Sequence, residues 1–215
     1  MTPLPHALFA LPPEHAIPAD RRGVLVPAAR IGEAEIHGAI VVVETDTDIA
    51  TLQKALTAGA AMIALAGCRT GADLQRLATL LSVAEAEVGC PEGSTSILAM
   101  TDGILPAPGA REGLARKSRR LAGLVWDLRL LVATLRATRT RTRTGELTTP
   151  LASARAATLL TATVADVPVY DSLPDVNEDA LVLICNHSRT DGFFGSLAIR
   201  SSQIEVVETQ YASLT

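Results

Sequence analysis

Residues 39–67, AIVVVETDTDIATLQKALTAGAAMIALAG, contain the pattern that decides the fold. Two continuous apolar runs, AIVVV and AMIALA, flank a segment whose leucines recur at helical spacing. Continuous apolar runs are typical of parallel strands that are covered on both faces. Asp48 is expected to cap the helix between them, and Gly59 to end it. The stretch therefore predicts a strand, a crossover helix and a second, parallel strand.

The same alternation of strand and helix extends along most of the chain. Further helix starts are predicted at Thr70 and Asn177. Strands are predicted near residues 7–11, 23–28, 39–43, 61–66, 96–100, 122–126, 167–170 and 196–199. Eight parallel strands with intervening helices predict an α/β fold, the (β/α)8 TIM barrel, formed by a single domain over residues 1–215. The first two connections, 12–22 and 29–38, are too short for a complete crossover helix, so we expect a barrel that is shortened or distorted in its first two βα units.

Composition restricts the classes of partner. The formal charge of −4 argues against nucleic acid, whose phosphates usually need a basic protein face. Three cysteines form no CxxC pair and no zinc-ligand spacing, which fits a reducing cytoplasm. The start of the sequence lacks the pattern of a signal peptide, and no apolar run approaches the ~20 residues that span a bilayer. We therefore expect a cytoplasmic protein with small-molecule or protein partners and without nucleic acid or membrane.

Four segments resemble a known family. Residues 191–213, DGFFGSLAIRSSQIEVVETQYAS, are similar to a closing strand and helix with the pattern Gly-Phe-x-Gly-Lys-x-Ala-Ile-His-Pro-x-Gln-Ile. RRLAGLVWDL at 119–128 resembles Gly-Leu-Met-Trp-Gly-Ala-Glu-Asp-Leu, and AGAAMIALAG at 58–67 resembles Ala-Gly-Ala-Asp-Gly-Ile-Val-Leu-Pro-Lys. Residues 145–178 are similar to the family's sixth helix and seventh strand. From about Thr45 onward, the chain thus resembles the HpcH/HpaI aldolase superfamily, in particular the citrate lyase β-subunit and related CoA-ester lyases.

The resemblance implies a magnesium-dependent carbon–carbon lyase or aldolase that acts on acyl-CoA or oxo-acid substrates, with the CoA thioester as substrate rather than cofactor. In the family, a glutamate and an aspartate at neighbouring strand ends hold Mg²⁺. A hard divalent cation stabilises the enolate that forms when the carbon–carbon bond is broken or made. Family members also associate through barrel helices, so the resemblance implies a homo-oligomer.

The family's metal ligands are only partly present in this sequence. Asp127 matches the metal aspartate, although the Gly-Ala-Glu that precedes it in the family is missing. The metal glutamate falls at Met100, whose thioether is a poor ligand for magnesium. Asp102 lies two residues later and could replace the glutamate only if the loop is rebuilt. The predicted metal ligands are therefore Asp127 and, less directly, Asp102.

Further changes fall at other strand ends. The family's Arg-Val-Asn aligns with residues 44–46, where carboxylates replace the cation and would repel an anionic substrate. The family's Pro-Lys is replaced by Ala66 and Gly67, and its His-Pro by Arg200 and Ser201. The candidate substrate-binding positions at strand ends are Glu44, Asp46, Met100, Asp171 and Arg200.

Three other features each allow a structural and a functional interpretation. The polar segment ATRTRTRTGELTT is expected to be a solvated loop, and the alternative is a phosphate clamp formed by Arg136, Arg139, Arg141 and Arg143. His187 is expected on a helix away from the strand ends, as a surface histidine rather than a general base. Cys68 is expected to be a buried small residue, because no histidine is placed by sequence to activate its thiol.

Two functions remain open from the sequence. One is a magnesium-dependent lyase with reduced or lost activity, in which Asp127 is the surviving ligand. The other is a non-catalytic barrel paralogue that serves as a binding or assembly module. In the second case Glu44 and Asp46 are solvated, whereas Asp48 and Asp127 cap helices.

Overall fold

The protein forms a closed barrel of eight parallel strands in a computed structural model that describes residues 4–33 and 36–212. The strands, β1 to β8, are Ala7–Ala10, Val24–Pro27, Ile40–Val43, Met62–Leu65, Ser96–Thr101, Leu121–Trp126, Val169–Ser172 and Gly195–Ala198. The helices, α1 to α6, are Ile49–Thr57, Gly71–Val88, Leu128–Leu135, Thr149–Ala165, Glu178–Asp191 and Ser202–Ala212. Strands pair in chain order, and β8 closes the barrel against β1. The predicted TIM barrel is confirmed; the predicted domain, 1–215, also includes residues 1–3, 34–35 and 213–215, which lie outside the described part.

Side chains of the strands point alternately into the barrel and towards the surrounding helices. The inward set forms one apolar cluster inside the barrel, which includes Leu8, Leu25, Ile40, Ala64, Leu98, Met100, Val125, Tyr170 and Leu197. The outward set forms a second, larger cluster with the helices. Both clusters consist mainly of branched aliphatic and small side chains, in keeping with a chain in which aromatic residues make up only 3%. This alternation decides which strand-end residues can reach the mouth of the barrel.

The predicted helix starts are confirmed. Asp48 accepts a hydrogen bond from the Thr51 backbone N–H at 2.8 Å, and this bond lowers the pKa of the Asp48 carboxyl. Thr70 and Asp73 form a reciprocal capping box at the start of α2. Asn177 accepts a hydrogen bond from a backbone N–H in the first turn of α5. Each cap begins a helix directly after a strand end, so the caps also set the loops of the barrel mouth.

Three connections between strands lack an α-helix. No helix joins β1 to β2, and among the described residues between β2 and β3 there is only a single 3-10 turn, Ala28–Arg30, as the short connections predicted. The third case, residues 102–120 between β5 and β6, was not predicted. Its sequence LPAPGAREG contains two prolines and two glycines, a composition that disfavours a helix. None of the described helices is long and apolar enough to cross a membrane.

A buried ion pair holds helix α2 against the segments that lead into β5 and β6. Glu85 of α2 is fully buried and receives two hydrogen bonds from the guanidinium of Arg120, which immediately precedes β6. Its carboxylate also accepts backbone N–H bonds from Gly93 and Thr95, each at 2.8 Å. Burial alone would raise the pKa of the Glu85 carboxyl, but these donors outweigh it and lower the pKa to about 2. The pair thereby ties α2 to the start of β5 and the start of β6.

Candidate functional site

Four charged residues lie at the C-terminal ends of β4, β5 and β6, where TIM barrels carry their sites. Arg69 follows β4, Asp102 follows β5, and Asp127 and Arg129 follow β6. The ends of β5 and β6 are joined by a hydrogen bond from the Asp127 backbone N–H to the Thr101 carbonyl at 2.9 Å. The two predicted metal ligands therefore stand on neighbouring strand ends, as the resemblance implied.

Asp102 is held by an arginine that the sequence analysis did not assign. One carboxylate oxygen accepts bonds from Arg69 Nε at 3.1 Å and Nη2 at 2.5 Å. The other oxygen accepts the backbone N–H of Ile104 at 2.9 Å. The Asp102 residue is only 2% exposed, and its hydrogen bond raises the pKa of the Arg69 guanidinium. The carboxylate is thus neutralised within the protein.

Asp127 is held in the same way by Arg129. Its two carboxylate oxygens accept Arg129 Nε at 2.9 Å and Nη2 at 2.7 Å. One of them also accepts the Arg129 backbone N–H at 2.9 Å, so Asp127 is the N-cap of α3. The sequence predicted this capping role as the structural alternative to a metal ligand, and the hydrogen bond confirms it. The hydrogen bond to Asp127 raises the pKa of the Arg129 guanidinium.

The residues present do not fit a magnesium ion. Magnesium needs oxygen ligands in near-octahedral geometry and is usually bound through carboxylates that are free to coordinate. Asp102 and Asp127 are both 2% exposed, and every carboxylate oxygen already accepts a hydrogen bond from a guanidinium or backbone donor. Met100, at the family's glutamate position, is 4% exposed and packs in the apolar cluster inside the barrel. Within residues 4–33 and 36–212, no three His, Cys, Asp or Glu side chains are grouped to hold an ion.

The acidic residues after β3 are solvated. Glu44 and Asp46 are both exposed. The backbone of their loop is instead held by Arg76 of α2, which donates to the carbonyls of Thr45 and Thr47. The candidate carboxylates therefore fall into two groups: those after β3 are exposed, and those after β5 and β6 are buried and paired.

Asp171 lies on the outer side of the barrel wall, which corrects its assignment to the mouth. Tyr170, the preceding residue, points inward and is fully buried, so Asp171 points towards the helices. Its carboxylate accepts Arg155 Nε at 2.8 Å and the Ser188 hydroxyl at 2.5 Å. Burial disfavours the charged form of Arg155, but the bonds with Asp171 and Asp191 outweigh it and raise the pKa of the guanidinium. The cluster joins β7 to α4 and α5.

Arg200 lies at the mouth but is also paired. It is exposed and bonds to Asp175 in the loop after β7. Its backbone N–H donates to Gln203 Oε1 at 3.2 Å, and the N–H of Ile199 donates to the same oxygen at 2.8 Å. The closing Gln of the family pattern therefore stabilises the turn into α6.

The arginine-rich segment forms a short antiparallel turn over α3 and α5. Arg141 pairs with Leu147 across the turn and donates to the Gly145 carbonyl at 2.6 Å. Arg136, Arg139 and Arg143 are exposed, in keeping with the predicted solvated loop. His187 is exposed on α5, as predicted, but it is closer to the strand ends than expected, because it lines a cavity of about 260 Å³ with Ser172 of β7.

Cys68 is fully buried, as predicted. Burial raises the pKa of its thiol to about 12, so the reactive thiolate is not populated at neutral pH. The acids of the site are predictable from the sequence pattern, but their partners Arg69, Arg129 and Arg155 were not predicted. The position of Arg129, two residues after a helix-capping aspartate, was a usable signal. Arg69 and Arg155 meet their partners only in the folded chain.

Comparison with solved structures finds the same barrel. A citrate lyase β-subunit from Mycobacterium tuberculosis complexed with oxaloacetate and magnesium is 18% identical, with 96% of each chain covered and a TM-score of 0.68. RipC from Yersinia pestis is also 18% identical, over 95% of this chain and 93% of its own, with a TM-score of 0.65. The CitE protein of Mycobacterium tuberculosis in complex with magnesium, acetoacetate and coenzyme A is 18% identical, over 87% of this chain and 79% of its own, with a TM-score of 0.59.

At this level of identity the likeness establishes the fold. No family model matches the chain, and no curated protein matches its sequence. The solved structures with this fold nevertheless include citrate lyase β-subunits, and the four sequence segments resemble the family of that name.

Proposed function

We propose that the chain is a divergent member of the citrate lyase β-subunit family that has lost the lyase reaction and serves as a binding or assembly module. Two independent lines support the family: the segments quoted above and the shared barrel over nearly the whole chain. The side chains at the strand ends support the loss of the reaction.

The observation that carries this proposal is the pairing of Asp102 and Asp127 with arginines. In a magnesium site, two carboxylates on adjacent strand ends would be neutralised by the shared cation. Here each carboxylate has its own guanidinium, at 2.5 Å for Asp102 and 2.7 Å for Asp127. A buried carboxylate that already accepts two guanidinium bonds gains little from a metal, since the metal would have to displace those donors.

The consequence concerns the enolate that a lyase has to stabilise. Without a divalent cation, the developing negative charge would need another electrophile close to the substrate oxygen. Met100 offers none, and the carboxylates of Glu44 and Asp46 disfavour an anionic substrate at β3. We therefore propose that active relatives use acyl-CoA or oxo-acid substrates with Mg²⁺ as cofactor, and that this chain does not.

Calorimetric titration with Mg²⁺, alone and together with oxaloacetate or acetyl-CoA, tests the proposal. We expect no saturable heat with the metal and no cleavage or condensation product in a matched activity assay. The Mycobacterium tuberculosis citrate lyase β-subunit, run in parallel, is the positive control for magnesium. Micromolar magnesium binding that depends on oxaloacetate or acetyl-CoA, or measurable turnover lost in Asp127→Ala, would overturn the proposal and restore the lyase.

Assembly into a homo-oligomer is part of the proposed role. Ile104 and Leu135 are exposed and line a surface depression with Ala157 of α4, and Leu160 and Val164 are exposed at helical spacing further along the same helix. On a protein surface such a patch often marks a contact. Sedimentation equilibrium of the wild type and of Leu160→Glu is the direct measurement. A homo-oligomer that dissociates in the variant is expected, whereas a monomeric wild type would remove assembly from the proposal.

A further inference from the structure

Two surfaces of opposite charge lie at the C-terminal end of the barrel. The acidic loop, residues 44–48, directly follows β3. The arginine turn, residues 136–147, leads from α3 towards the start of α4 and lines a cavity with Trp126 and Ser172, the last residues of β6 and β7. β3 and β7 are four positions apart in a closed ring of eight strands, so the two surfaces stand on opposite sides of the barrel mouth.

The two surfaces carry net charges of opposite sign. The acidic loop contains one glutamate and two aspartates, and Arg76, which donates to two carbonyls of the loop, reduces its charge from −3 to −2. The arginine turn contains four arginines and one glutamate, a charge of +3, and the adjoining cluster of Asp171, Arg155 and Asp191 lowers this to +2. Charge is therefore separated across the mouth of a chain whose formal charge is −4.

The outer charges of both surfaces are available to a partner. Glu44, Asp46, Arg139 and Arg143 are exposed, and none of them forms an ion pair or a side-chain hydrogen bond with another residue in the described part of the chain. Three other pairs of charged residues at the mouth are each neutral: Asp102 with Arg69, Asp127 with Arg129, and Asp175 with Arg200.

We propose that a second copy of this chain binds mouth to mouth, with the arginine turn of each copy on the acidic loop of the other. A two-fold axis in the plane of contact, perpendicular to the line that joins the two surfaces, makes both contacts at once. The charges favour a second copy as the occupant, because Glu44 and Asp46 of one copy then meet Arg139 and Arg143 of the other.

This contact goes beyond the function proposed above, because it uses the mouth rather than the apolar patch that includes Leu160. In Leu160→Glu, which removes the contact through that patch, the larger oligomer should dissociate only as far as the mouth-to-mouth dimer. Exposed ion pairs each contribute little to stability, and salt screens them. We therefore expect a weak dimer whose affinity depends steeply on ionic strength.

Sedimentation velocity of Leu160→Glu in about 0.1 M and about 1 M NaCl measures this dimer, because the Debye length falls from about 10 Å to about 3 Å between them. We expect an affinity at least about tenfold lower at the higher salt concentration. Equal affinity at both concentrations would overturn the electrostatic contact. A monomer at both would also overturn the proposal and leave the two surfaces to a partner other than this chain.

Reversal of the charges identifies the two surfaces. In the Leu160→Glu background, Arg139→Glu/Arg143→Glu makes both surfaces acidic, and Glu44→Arg/Asp46→Arg makes both basic. Each of these variants alone should be a monomer in about 0.1 M NaCl, since like charges then meet at both contacts. An equimolar mixture of the two should restore a dimer, because each contact again joins opposite charges.

The matched control reverses two exposed acids at the other end of the barrel. Glu87→Arg/Glu92→Arg changes residues in the last turn of α2 and in the loop that follows it, and should dimerise as Leu160→Glu alone does. Thermal unfolding checks that each variant is folded. A mixture of the two folded charge-reversed variants that stays monomeric, or either variant that dimerises alone, would refute the reciprocal pairing.

Discussion

Replacement of Glu85 by alanine is expected to destabilise the barrel more than any exposed substitution. The change would leave the Arg120 guanidinium, which is 9% exposed, without its counter-ion, and the backbone N–H groups of Gly93 and Thr95 without their acceptor. Removing one partner of a buried ion pair costs about 3–5 kcal/mol, because the other charge stays buried. For a domain of this size that corresponds to a fall in unfolding temperature on the order of 10 °C.

Urea and thermal unfolding followed by circular dichroism measure this loss. Glu87→Ala is the matched control, because Glu87 is exposed on the same helix and bonds to the exposed Gln53 side chain. We expect the control to change the free energy of unfolding by less than about 1 kcal/mol. If Glu85→Ala also lowers the free energy of unfolding by less than about 1 kcal/mol, the Glu85–Arg120 pair does not hold α2 against the segments that lead into β5 and β6.

The same residue gives the protein a specific acid sensitivity. The pKa of Glu85 falls from 4.5 to about 2 on folding, so the unfolded chain takes up the proton first as the pH falls. Its contribution, roughly 3 kcal/mol, is complete above pH 4.5 and is lost as the pH falls towards 2. In Glu85→Gln, which cannot titrate, the free energy of unfolding should fall less steeply over that interval. An identical acid profile for the two proteins would exclude Glu85 as the titrating group.

Three further outcomes are expected. The double variant Arg69→Ala/Arg129→Ala exposes two uncompensated carboxylates on adjacent strands, so added Mg²⁺ should raise its unfolding temperature while leaving the wild type unchanged. Asp171→Ala should lower the free energy of unfolding by about 1–3 kcal/mol in urea titrations, since the Arg155 guanidinium and the Ser188 hydroxyl lose a buried acceptor while Arg155 keeps its bond to Asp191. In the native protein a thiol reagent should modify the partly exposed Cys90 and spare Cys68; rapid loss of both thiols would contradict the burial argument.

The strands and most helices could be predicted because their signals are local. Continuous apolar runs mark most of the barrel strands, and Asp48, Thr70 and Asn177 begin helices through bonds to residues three positions away. The helix-free connection after β5 was missed because the strand-to-helix rhythm elsewhere suggested a complete unit, although its prolines and glycines were visible.

The candidate site was less predictable because its chemistry depends on pairs that are distant in sequence. Asp102 and its partner Arg69 are separated by 33 positions, and Asp171 and Arg155 by 16. A sequence pattern can place a carboxylate at a strand end, but it does not show whether a guanidinium from another element neutralises it. For Asp171 the pattern also left open which side of the barrel wall the side chain faces, a question that one position of register decides.

The missing helix after β5 has a consequence for how the barrel opens. A closed ring of strands has no edge, so partial unfolding has to start where the outer layer is thinnest. Residues 107–109, together with Arg111 and Glu112, are exposed, and one backbone bond from Gly71 to the Glu112 carbonyl fastens this stretch to α2. Amide hydrogens of β5 should therefore exchange earlier than those of β7, which Arg155 of α4 and Ser188 of α5 hold through Asp171. Trypsin should first cut after Arg111, leaving the two parts of the barrel joined without a covalent bond, by packing and by the β5–β6 and β8–β1 hydrogen-bond ladders.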